Sequence, residues 1–412
     1  MRILAYTSPA RGHLNPMMGA LLACRERGAE IHVRTLASAV PDVRRAGLVA
    51  EAIDPRIEAI ELDDHEERSP LAAAKRTYVV WGARAPHEVP DLRGAIDEVR
   101  PDALLVDTTT FGARAAAETA GLPWVESRPF LLEEPAPGIP PFGFGLRPRT
   151  DLLGRTRDRI MGAVMGRFER TAVLSTVNAG RQAAGLAPLD HPSEAYGRAD
   201  RSLYFSAPPF EYARPPLPGV VAVGASEWEP PAEEDLEELD LLDDRPLVLV
   251  VCSSEYQNDG AIAVAALEGL TDRYQVVVTS AGVDPSGLEP RGGAVVRRFL
   301  PHGPLLERAS VVVCHGGMGI TQKALAAEVP VVVVPWGRDQ LDVAMHVDVA
   351  DAGVVVPRKK LTAARLADAV ATASTKAEGA RRVSAGYRAT GGSEKAAEVI
   401  LSLASAGATV VR

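Results

Sequence analysis

Residues 315–320, His-Gly-Gly-Met-Gly-Ile, have the residue types best suited to chemistry in this sequence. The apolar residues 310–314 precede them and the helix-forming residues 321–326 follow, which is the pattern of a strand, a tight turn and a helix. The first amides of a helix lack intrahelical partners, and the helix dipole adds positive charge around them. The segment therefore predicts a binding site for a phosphate or a diphosphate, where the glycines let the backbone approach the ligand and the histidine adds a donor.

The length and the composition exclude several classes of protein. At 412 residues the chain exceeds the usual size of a single hydrophobic core, so two domains are expected. Its formal net charge of −9 offers no basic surface for nucleic acid or for an anionic membrane. The acidic run at 233–240 is predicted to be a solvated surface helix at a domain junction.

The cysteines and the amino terminus bear on the compartment. Cys24, Cys252 and Cys314 are an odd number for a disulfide framework and lack the spacing of a zinc site. The amino terminus lacks the longer apolar segment and the cleavage site of a signal peptide. No apolar run approaches the ~20 residues of a membrane span. We therefore expect a cytoplasmic protein without stable membrane insertion.

Short apolar segments alternate with helical patterns along both halves of the chain. A strand at 3–6 is followed by a loop at 8–13 and a helix at 16–27, and the second half begins the same alternation with a strand at 247–251. This alternation is the signature of βαβ units on parallel sheets. The predicted fold class is α/β, with two Rossmann-like domains that face each other across a cleft. Open parallel sheets bind ligands at the carboxyl ends of their strands, and so the cleft is the expected site.

The domain boundaries follow from a change in composition. Residues 208–231 are rich in proline and glycine, as interdomain linkers often are. We predict a first domain at 1–215, a second domain at 216–392, and a last helix at 393–412 that packs back onto the first domain.

Taken together, these features resemble the family-1 glycosyltransferases of the GT-B fold. The resemblance is closest to the actinobacterial branch that modifies macrolides, polyketides, enediynes and other natural products. It spans nearly the whole chain and is strongest at 296–356, where the segments 298–302, 315–319 and 335–340 occur in the family's order and spacing. The resemblance implies an acceptor-binding first domain, a second domain that binds a nucleotide-sugar co-substrate, and no permanently bound cofactor.

The resemblance implies a nucleotide site in the second domain. Phe299 would stack on the nucleobase, and the backbone of Leu300 would bind the edge of the base. From the residues alone, a core aromatic at a strand end is the alternative for Phe299. A hydroxyl of Ser253 or Ser254 would lie near the diphosphate. The diphosphate itself would be held by the turn residues His315, Gly316, Gly317, Met318, Gly319 and Ile320.

The donor sugar and the ribose complete the nucleotide-sugar site. Asp339 and Gln340 match the pair that hydrogen-bonds the hydroxyls of the donor sugar, although alone they are compatible with an ordinary helix start. Ile320 replaces the family's usual threonine. Lys323 replaces a glutamate that contacts the ribose hydroxyls in many relatives. Deoxyribose has fewer hydroxyls, so this replacement favours a TDP-sugar over a UDP-sugar, unless Lys323 only faces solvent.

The resemblance also implies a catalytic pair in the first domain, His13 and Asp107. An acceptor hydroxyl must lose its proton as it attacks the anomeric carbon, and histidine has a pKa near the working pH. A carboxylate on the other ring nitrogen would fix the tautomer and stabilise the imidazolium. In-line attack predicts inversion at the anomeric carbon. The chain has no Asp-x-Asp sequence, and the helix start at 315–320 offers fixed donors to the leaving group, so we expect metal-independent chemistry.

The acceptor pocket is predicted from aromatic residues. Phe130, Phe142 and Phe144 lie in the proline- and glycine-rich segment 129–148, with Trp81 and Phe111 as further candidates. Such a loop beside the cleft suits a large apolar acceptor, although a loop packed on its own small core has the same composition.

The prediction is an inverting, metal-independent glycosyltransferase that moves a sugar from a TDP donor to a hydroxyl of a hydrophobic small molecule. There are three alternatives of the same fold: a UDP-hexose transferase acting on a lipid or a sterol, a nucleotide-sugar epimerase, and a non-catalytic auxiliary protein. A nicotinamide dehydrogenase is disfavoured because the first βα turn lacks G-x-G-x-x-G. The sequence leaves open whether the sugar is transferred to oxygen, carbon or nitrogen, and which sugar and acceptor react. It also leaves open whether transfer is iterative and whether the protein is a homodimer.

Overall fold

A computed structural model describes residues 1–67, 69–230, 242–254 and 257–410, with side chains as far as residue 406. The acidic run predicted at 233–240 lies outside these residues. The described chain forms two parallel sheets with helices on both faces, so the predicted two-domain α/β fold is confirmed. None of the described helices is both long enough and apolar enough to span a bilayer.

The first sheet has the strand order β3-β2-β1-β4-β5-β6-β7. Its strands are β1 (Arg2–Tyr6), β2 (Glu30–Thr35), β3 (Val49–Ala52), β4 (Ala103–Asp107), β5 (Trp124–Arg128), β6 (Arg201–Tyr204) and β7 (Val220–Ala222). The helices of this half are α1 (Arg11–Glu26), α2 (Val40–Arg45), α3 (Pro55–Glu58), α4 (Pro70–Val99), α5 (Phe111–Thr119), α6 (Leu152–Phe168) and α7 (Leu174–Ala184). Pairing through β7 carries the first sheet past residue 215.

The second sheet has the strand order β10-β9-β8-β11-β12-β13. Its strands are β8 (Leu247–Val251), β9 (Gln275–Thr279), β10 (Val295–Arg297), β11 (Ala309–Cys314), β12 (Val331–Val333) and β13 (Gly353–Val355). The helices of this half are α8 (Ala261–Gly269), α9 (His302–Leu306), α10 (Met318–Ala326), α11 (Gln340–Val349), α12 (Ala363–Ala373), α13 (Ala377–Ala389) and α14 (Gly392–Val410). The central strands β8 and β11 are almost entirely apolar, as strands covered on both faces must be.

Helix α1 begins at Arg11, and the predicted loop at 8–13 and helix start at residue 16 are therefore wrong. Its buried face begins before Pro16: Leu14, Met17, Met18 and Leu21 are each 0% exposed and follow the spacing of one helix face. Packing of this face outweighs the one intrahelical bond that Pro16 cannot make. His13 consequently lies in the first turn of a helix.

The last helix, α14, packs against α1. Ala396, Ala397, Ile400 and Ala404 are fully buried in the core of the first sheet. The linker passes the same helix, because the Ser226 hydroxyl donates to the Asn15 carbonyl at 3.3 Å. A Cβ at Gly19 of α1 would lie 2.5 Å from Ser393 Oγ and 3.6 Å from Ser226 Oγ. Both segments that connect the domains therefore meet on α1.

Helices α4 and α5 approach each other closely at Gly112. A Cβ at this residue would lie 2.1 Å from the carbonyl oxygen of Ala85, and Glu88 of α4 accepts the Gly112 amide at 2.8 Å. Burial raises the pKa of Glu88 to about 8, although the hydrogen bonds from the Gly112 and Ala113 amides lower it. Since α5 follows β4 directly, this contact also fixes the segment after Asp107.

We expect Gly112→Ala to lower the free energy of unfolding by about 1–3 kcal/mol, because the added methyl would clash with rigid backbone. Gly94→Ala is the matched control, since Gly94 is exposed on α4 with nothing within 4 Å of an added Cβ. Gly94→Ala should raise stability by about 0.5–1 kcal/mol through helix propensity. Urea unfolding followed by tryptophan fluorescence measures both, and equal effects would contradict the assigned contact.

Candidate active site

A cleft of about 2090 Å³ lies between the carboxyl ends of the two sheets. Ser8 and His13, which follow β1, line it from the first domain. Ser253, which follows β8, and His315, which follows β11, line it from the second. The sequence placed the site at this edge because parallel strands end there together.

His13 and Asp107 are in direct contact. The Nδ1 atom of His13 lies 2.8 Å from Oδ2 and 3.0 Å from Oδ1 of Asp107. Asp107 is fully buried at the end of β4, and its carboxylate also accepts the amides of Ser8 at 3.0 Å and Thr109 at 3.1 Å. The Thr109 hydroxyl donates to the same carboxylate at 3.2 Å.

These contacts determine the charge of Asp107. Burial by itself would raise the pKa of this carboxyl, but the adjacent His13 and the two backbone amides hold it below its ordinary value. Asp107 is therefore ionised at neutral pH. On the other side of the imidazole, the edge of the Phe130 ring packs against His13, with centroids 5.0 Å apart and planes at 69°.

The turn between β11 and α10 has the predicted form. Gly316 has φ +92°, and a Cβ there would lie 2.7 Å from Val333, so a larger residue is excluded twice over. A Cβ at Gly317 would lie 2.4 Å from Nε2 of His315, which shows that this imidazole lies against the turn. Gly317 caps α10, and the side chains or backbones of Met318, Gly319 and Ile320 line the cleft beside it.

The His315 side chain is 7% exposed, and burial lowers its pKa, which keeps the ring neutral. Its Nδ1 lies 3.8 Å from Oδ2 of Asp259, beyond hydrogen-bond distance. Within the described parts of the chain this Nδ1 has no hydrogen-bond partner. A neutral imidazole at a helix start can donate one hydrogen bond to an anion without the cost of burying a cation.

The loop after β8 is ordered by side chains that the sequence did not indicate. Asp259 accepts the Ser253 amide at 2.7 Å, and Gln257 donates to the Ser253 hydroxyl at 3.0 Å. Gln257 in turn accepts from Nε2 of Gln340 at 2.6 Å. Ser254 is exposed on the cleft beside this network.

The remaining donor-side candidates differ in exposure. Phe299 is 66% exposed on the cleft, so it is no core aromatic, and Leu300 beside it is partly buried. Asp339 lines the cleft. Gln340 is only 1% exposed, and its Oε1 accepts the amides of Trp336 and Gly337 at 2.7 and 3.1 Å. The Gln340 amide thus holds the turn that presents Asp339.

Two polar contacts join the domains beside the cleft. Arg338 donates to Asp64 of the first domain through Nε at 2.9 Å and Nη2 at 2.8 Å. Asp342 of α11 accepts the amides of Gly143 at 2.8 Å and Gly145 at 3.2 Å. The segment 129–148 is therefore held from the second domain, next to the residues after β12.

Four of the five predicted acceptor-side aromatics, Trp81, Phe130, Phe142 and Phe144, line the cleft. Phe111 lies one layer deeper: it is 8% exposed and packs 6.1 Å behind Trp81.

Comparisons with known proteins agree with this geometry. Residues 275–403 match the family model of the C-terminal domain of erythromycin biosynthesis protein CIII-like proteins. The chain is 28% identical to 4'-demethylrebeccamycin synthase of Lentzea aerocolonigenes, over 88% of this chain and 89% of the relative. It is 27% identical to L-demethylnoviosyl transferase of Streptomyces niveus, over 90% of this chain and 88% of the relative. The solved structure of a Streptomyces sp. SF2575 glycosyltransferase with thymidine diphosphate has the same fold, with a TM-score of 0.72, 19% identity, and coverage of 98% and 99%.

The chain is a glycosyltransferase of the GT-B fold. Its similarity to transferases of actinobacterial natural-product pathways, inferred above from the motifs, is confirmed.

Sequence reasoning missed several residues of the enzyme's cleft. Tyr78 and Phe168 line it from the first domain, and Gln257 and Asp259 order the loop after β8 in the second domain. Tyr78 lies three residues before Trp81 on α4, so helical spacing from the predicted tryptophan was a usable signal. Gln257 and Asp259 follow a strand end, but nothing in their types sets them apart from other loop residues.

We expect Asp107→Asn to lower the enzyme's free energy of unfolding at neutral pH by about 3 kcal/mol, since it removes the charged acceptor of buried donors. The pKa of Asp107 is lower in the folded than in the unfolded chain. Its contribution is therefore complete above the ordinary value of 3.8 and is lost as the pH falls through the folded value. Urea unfolding at about pH 7 and about pH 3.5 should show the difference between wild type and variant shrinking at the lower pH.

Asp102→Asn serves as the control for that experiment. Asp102 precedes the same strand and accepts the Arg2 amide at 2.8 Å near the surface. Its replacement should cost less than about 1 kcal/mol at either pH. A difference between wild type and Asp107→Asn that does not change with pH would contradict the assignment of an ionised carboxylate.

Proposed function

We propose that the enzyme transfers a sugar from a TDP-sugar to a hydroxyl of a hydrophobic natural product, with inversion and without a metal ion. One observation carries this proposal: His13, which is bonded to the buried Asp107, and the start of α10 with His315 line the same cleft from opposite domains. A base for the acceptor and donors for the leaving diphosphate therefore face one reaction space. The names of the two transferase relatives described above support the natural-product acceptor.

His13 is the general base in this mechanism. Its Nδ1 is bound to the ionised Asp107, so Nδ1 carries the proton and Nε2 is the atom that accepts the hydroxyl proton. The imidazolium formed in this step is stabilised by the buried carboxylate at 2.8 Å. The hydroxyl oxygen then bonds to the anomeric carbon as the bond to the diphosphate oxygen breaks on the opposite face, and this gives inversion.

The start of α10 stabilises the leaving diphosphate. Its first amides and the neutral His315 are fixed donors, and such donors need no reorganisation as negative charge develops. We expect no metal requirement, and transfer should persist in excess chelator. A strict need for magnesium would contradict this part of the proposal.

The preference for TDP rests on Lys323. Its Nζ lies 3.5 Å from Oε2 of Glu229, it is largely buried, and burial lowers its pKa, so it does not simply face solvent. Glu229 is occupied, since it also accepts the amides of His302 at 3.0 Å and Gly303 at 2.8 Å. The carboxylate expected to bind ribose hydroxyls is thus replaced by a neutralised ion pair, which suits deoxyribose. The thymidine diphosphate bound to the structural relative supports the same donor.

His13→Ala tests the base. Transfer should fall by about 10²–10⁴-fold, because the hydroxyl would lose its proton acceptor. The dissociation constant of TDP should stay within about twofold, because His13 lies across the cleft from the nucleotide site. Turnover assays and calorimetric titration measure the two quantities, and a variant with full turnover would remove His13 from the mechanism.

Phe299→Ala is the reciprocal variant. Loss of a ring that stacks on the base should weaken TDP binding by about 5- to 100-fold, equivalent to about 1–3 kcal/mol. Turnover at saturating donor should change far less. Unchanged TDP affinity would show that the exposed ring does not contact the base.

Calorimetric titration with TDP, UDP and GDP tests the donor. We expect TDP to bind most tightly to the wild type, and Lys323→Glu to shift the preference towards UDP by restoring a carboxylate near the ribose. Tighter UDP binding by the wild type would move the donor to a UDP-sugar. Binding of none of the three nucleotides would favour a non-catalytic auxiliary protein.

A further inference from the structure

Three aromatic side chains form a wall on the acceptor side of the cleft. Tyr78 and Trp81 lie one turn apart on α4, with ring centroids 5.1 Å apart and planes at 79°. Phe168, the last residue of α6, packs 5.7 Å from Tyr78 at 73°. All three line the cleft. The aromatic wall (Tyr78, Trp81 and Phe168) therefore offers rigid π surfaces to a bound acceptor.

Two carboxylates border this wall. Glu133 follows β5 on the same segment as Phe130, and Glu169 begins a π-helical turn, Glu169–Val173, directly after Phe168. π-Helical turns are rare and are concentrated at functional sites. Both carboxylates are partly buried and line the cleft. Across the described chain, neither of them forms a hydrogen bond or an ion pair with another side chain or with the backbone.

Two of the neighbouring cations already have carboxylate partners. Arg128 donates to Glu134 through both terminal nitrogens, one of them at 2.9 Å from its acceptor, and Arg114 pairs with Glu126 at 2.8 Å. A third cation, Arg214, donates to the carbonyls of Leu132 and Glu134. Glu133 and Glu169 themselves have no basic partner side chain within the described chain. Burial raises the pKa of Glu133 to about 7; Arg128 opposes this shift, and the charges of Glu134 and Glu169 add to it.

The carboxylates and the rings line the same cleft from the first domain. Burial raises the pKa of Tyr78 well above its ordinary value, and the next contribution comes from the charge of Glu133, with Glu169 also contributing. A ligand in front of the wall would therefore meet aromatic rings and the two carboxylates on one side of the cleft. A protonated amine is attracted by both, whereas a neutral hydroxyl would leave the two carboxylates facing each other.

We propose that Glu133, Glu169 and the aromatic wall form a subsite for a protonated amine on the acceptor. The inference rests on the proposed function, since it assumes that this side of the cleft receives the acceptor. It adds a chemical class: an apolar aromatic molecule with a basic nitrogen some distance from the hydroxyl that is glycosylated. Phe130 touches His13 and precedes Glu133 by three residues, so one chain segment connects His13 with the amine subsite.

A matched pair of naphthols tests the subsite. The cationic probe is 6-(2-dimethylaminoethyl)-2-naphthol, and its neutral isostere is 6-(3-methylbutyl)-2-naphthol. Dissociation constants are measured by calorimetry on the full chain with TDP present, at about pH 8, where the alkylammonium keeps its charge. We expect the wild type to bind the cation about tenfold or more tightly than the isostere.

Two sets of variants locate the effect. In the double variant Glu133→Gln/Glu169→Gln, the ratio of the affinity for the cationic probe to the affinity for its neutral isostere should fall towards one. Glu61→Gln is the control, because Glu61 is an exposed carboxylate that lines the same cleft but is not part of the proposed subsite, and the affinity ratio of this variant should stay that of the wild type. Thermal melts confirm that each variant is folded, and the single variants replace the double one if it is not.

Equal affinities for the two probes in the wild type would overturn the inference. So would a preference for the cation that persists when Glu133 and Glu169 are replaced by glutamine. A wild type that does not bind the cationic probe at all would overturn it as well. Sugar transfer to the neutral naphthol with no preference for the cation would leave the proposed function intact and remove the amine subsite. A preference for the cation without transfer from any TDP- or UDP-sugar would keep the subsite and remove the proposed function.

Discussion

The first domain's half of the site depends on one carboxylate that is cut off from water. An isolated buried charge costs several kcal/mol, so Asp107 can stay ionised only if its neighbours replace the lost hydration. The lost hydration is replaced by the amides of Ser8 and Thr109, the Thr109 hydroxyl and the His13 ring. These groups come from the ends of β1 and β4 and from the first turn of α1. The charge of one residue thereby fixes the position of three chain segments, and the imidazole is oriented before any ligand arrives.

In the proposed mechanism the second domain has the opposite problem, because it must receive the negative charge of the leaving diphosphate. It does so with backbone amides at the start of α10 and with a histidine that burial keeps neutral. A fixed cation in this place would hold the product diphosphate tightly, whereas dipoles stabilise developing charge at a smaller cost to release. The two domains thus divide the chemistry between a permanent anion and permanent dipoles.

Much of this could be predicted from the sequence. The strand β8 is an uninterrupted apolar run and β11 contains one polar residue, Ser310, so both strands and the glycine turn after β11 could be located from the sequence. The start of α1 was wrong because a proline was given more weight than the buried face that begins at Leu14. The Gln340 amide, turned inward onto its own loop, and the Glu133 and Glu169 carboxylates could not be predicted. Their significance depends on which partners other residues have already taken, and this is a property of the folded chain.

The meeting of both interdomain segments on α1 has a mechanical consequence. Because both crossings contact the same helix near Gly19, this point is the pivot expected for a rotation of the second domain. His13 is on that helix, less than two turns from the pivot, while Arg338 and Asp339 lie on the far arm. Rotation about that point would therefore swing the loop after β12 through a longer arc than His13. Under the proposed function, such a hinge would keep the acceptor hydroxyl beside His13 while the sugar is brought to it.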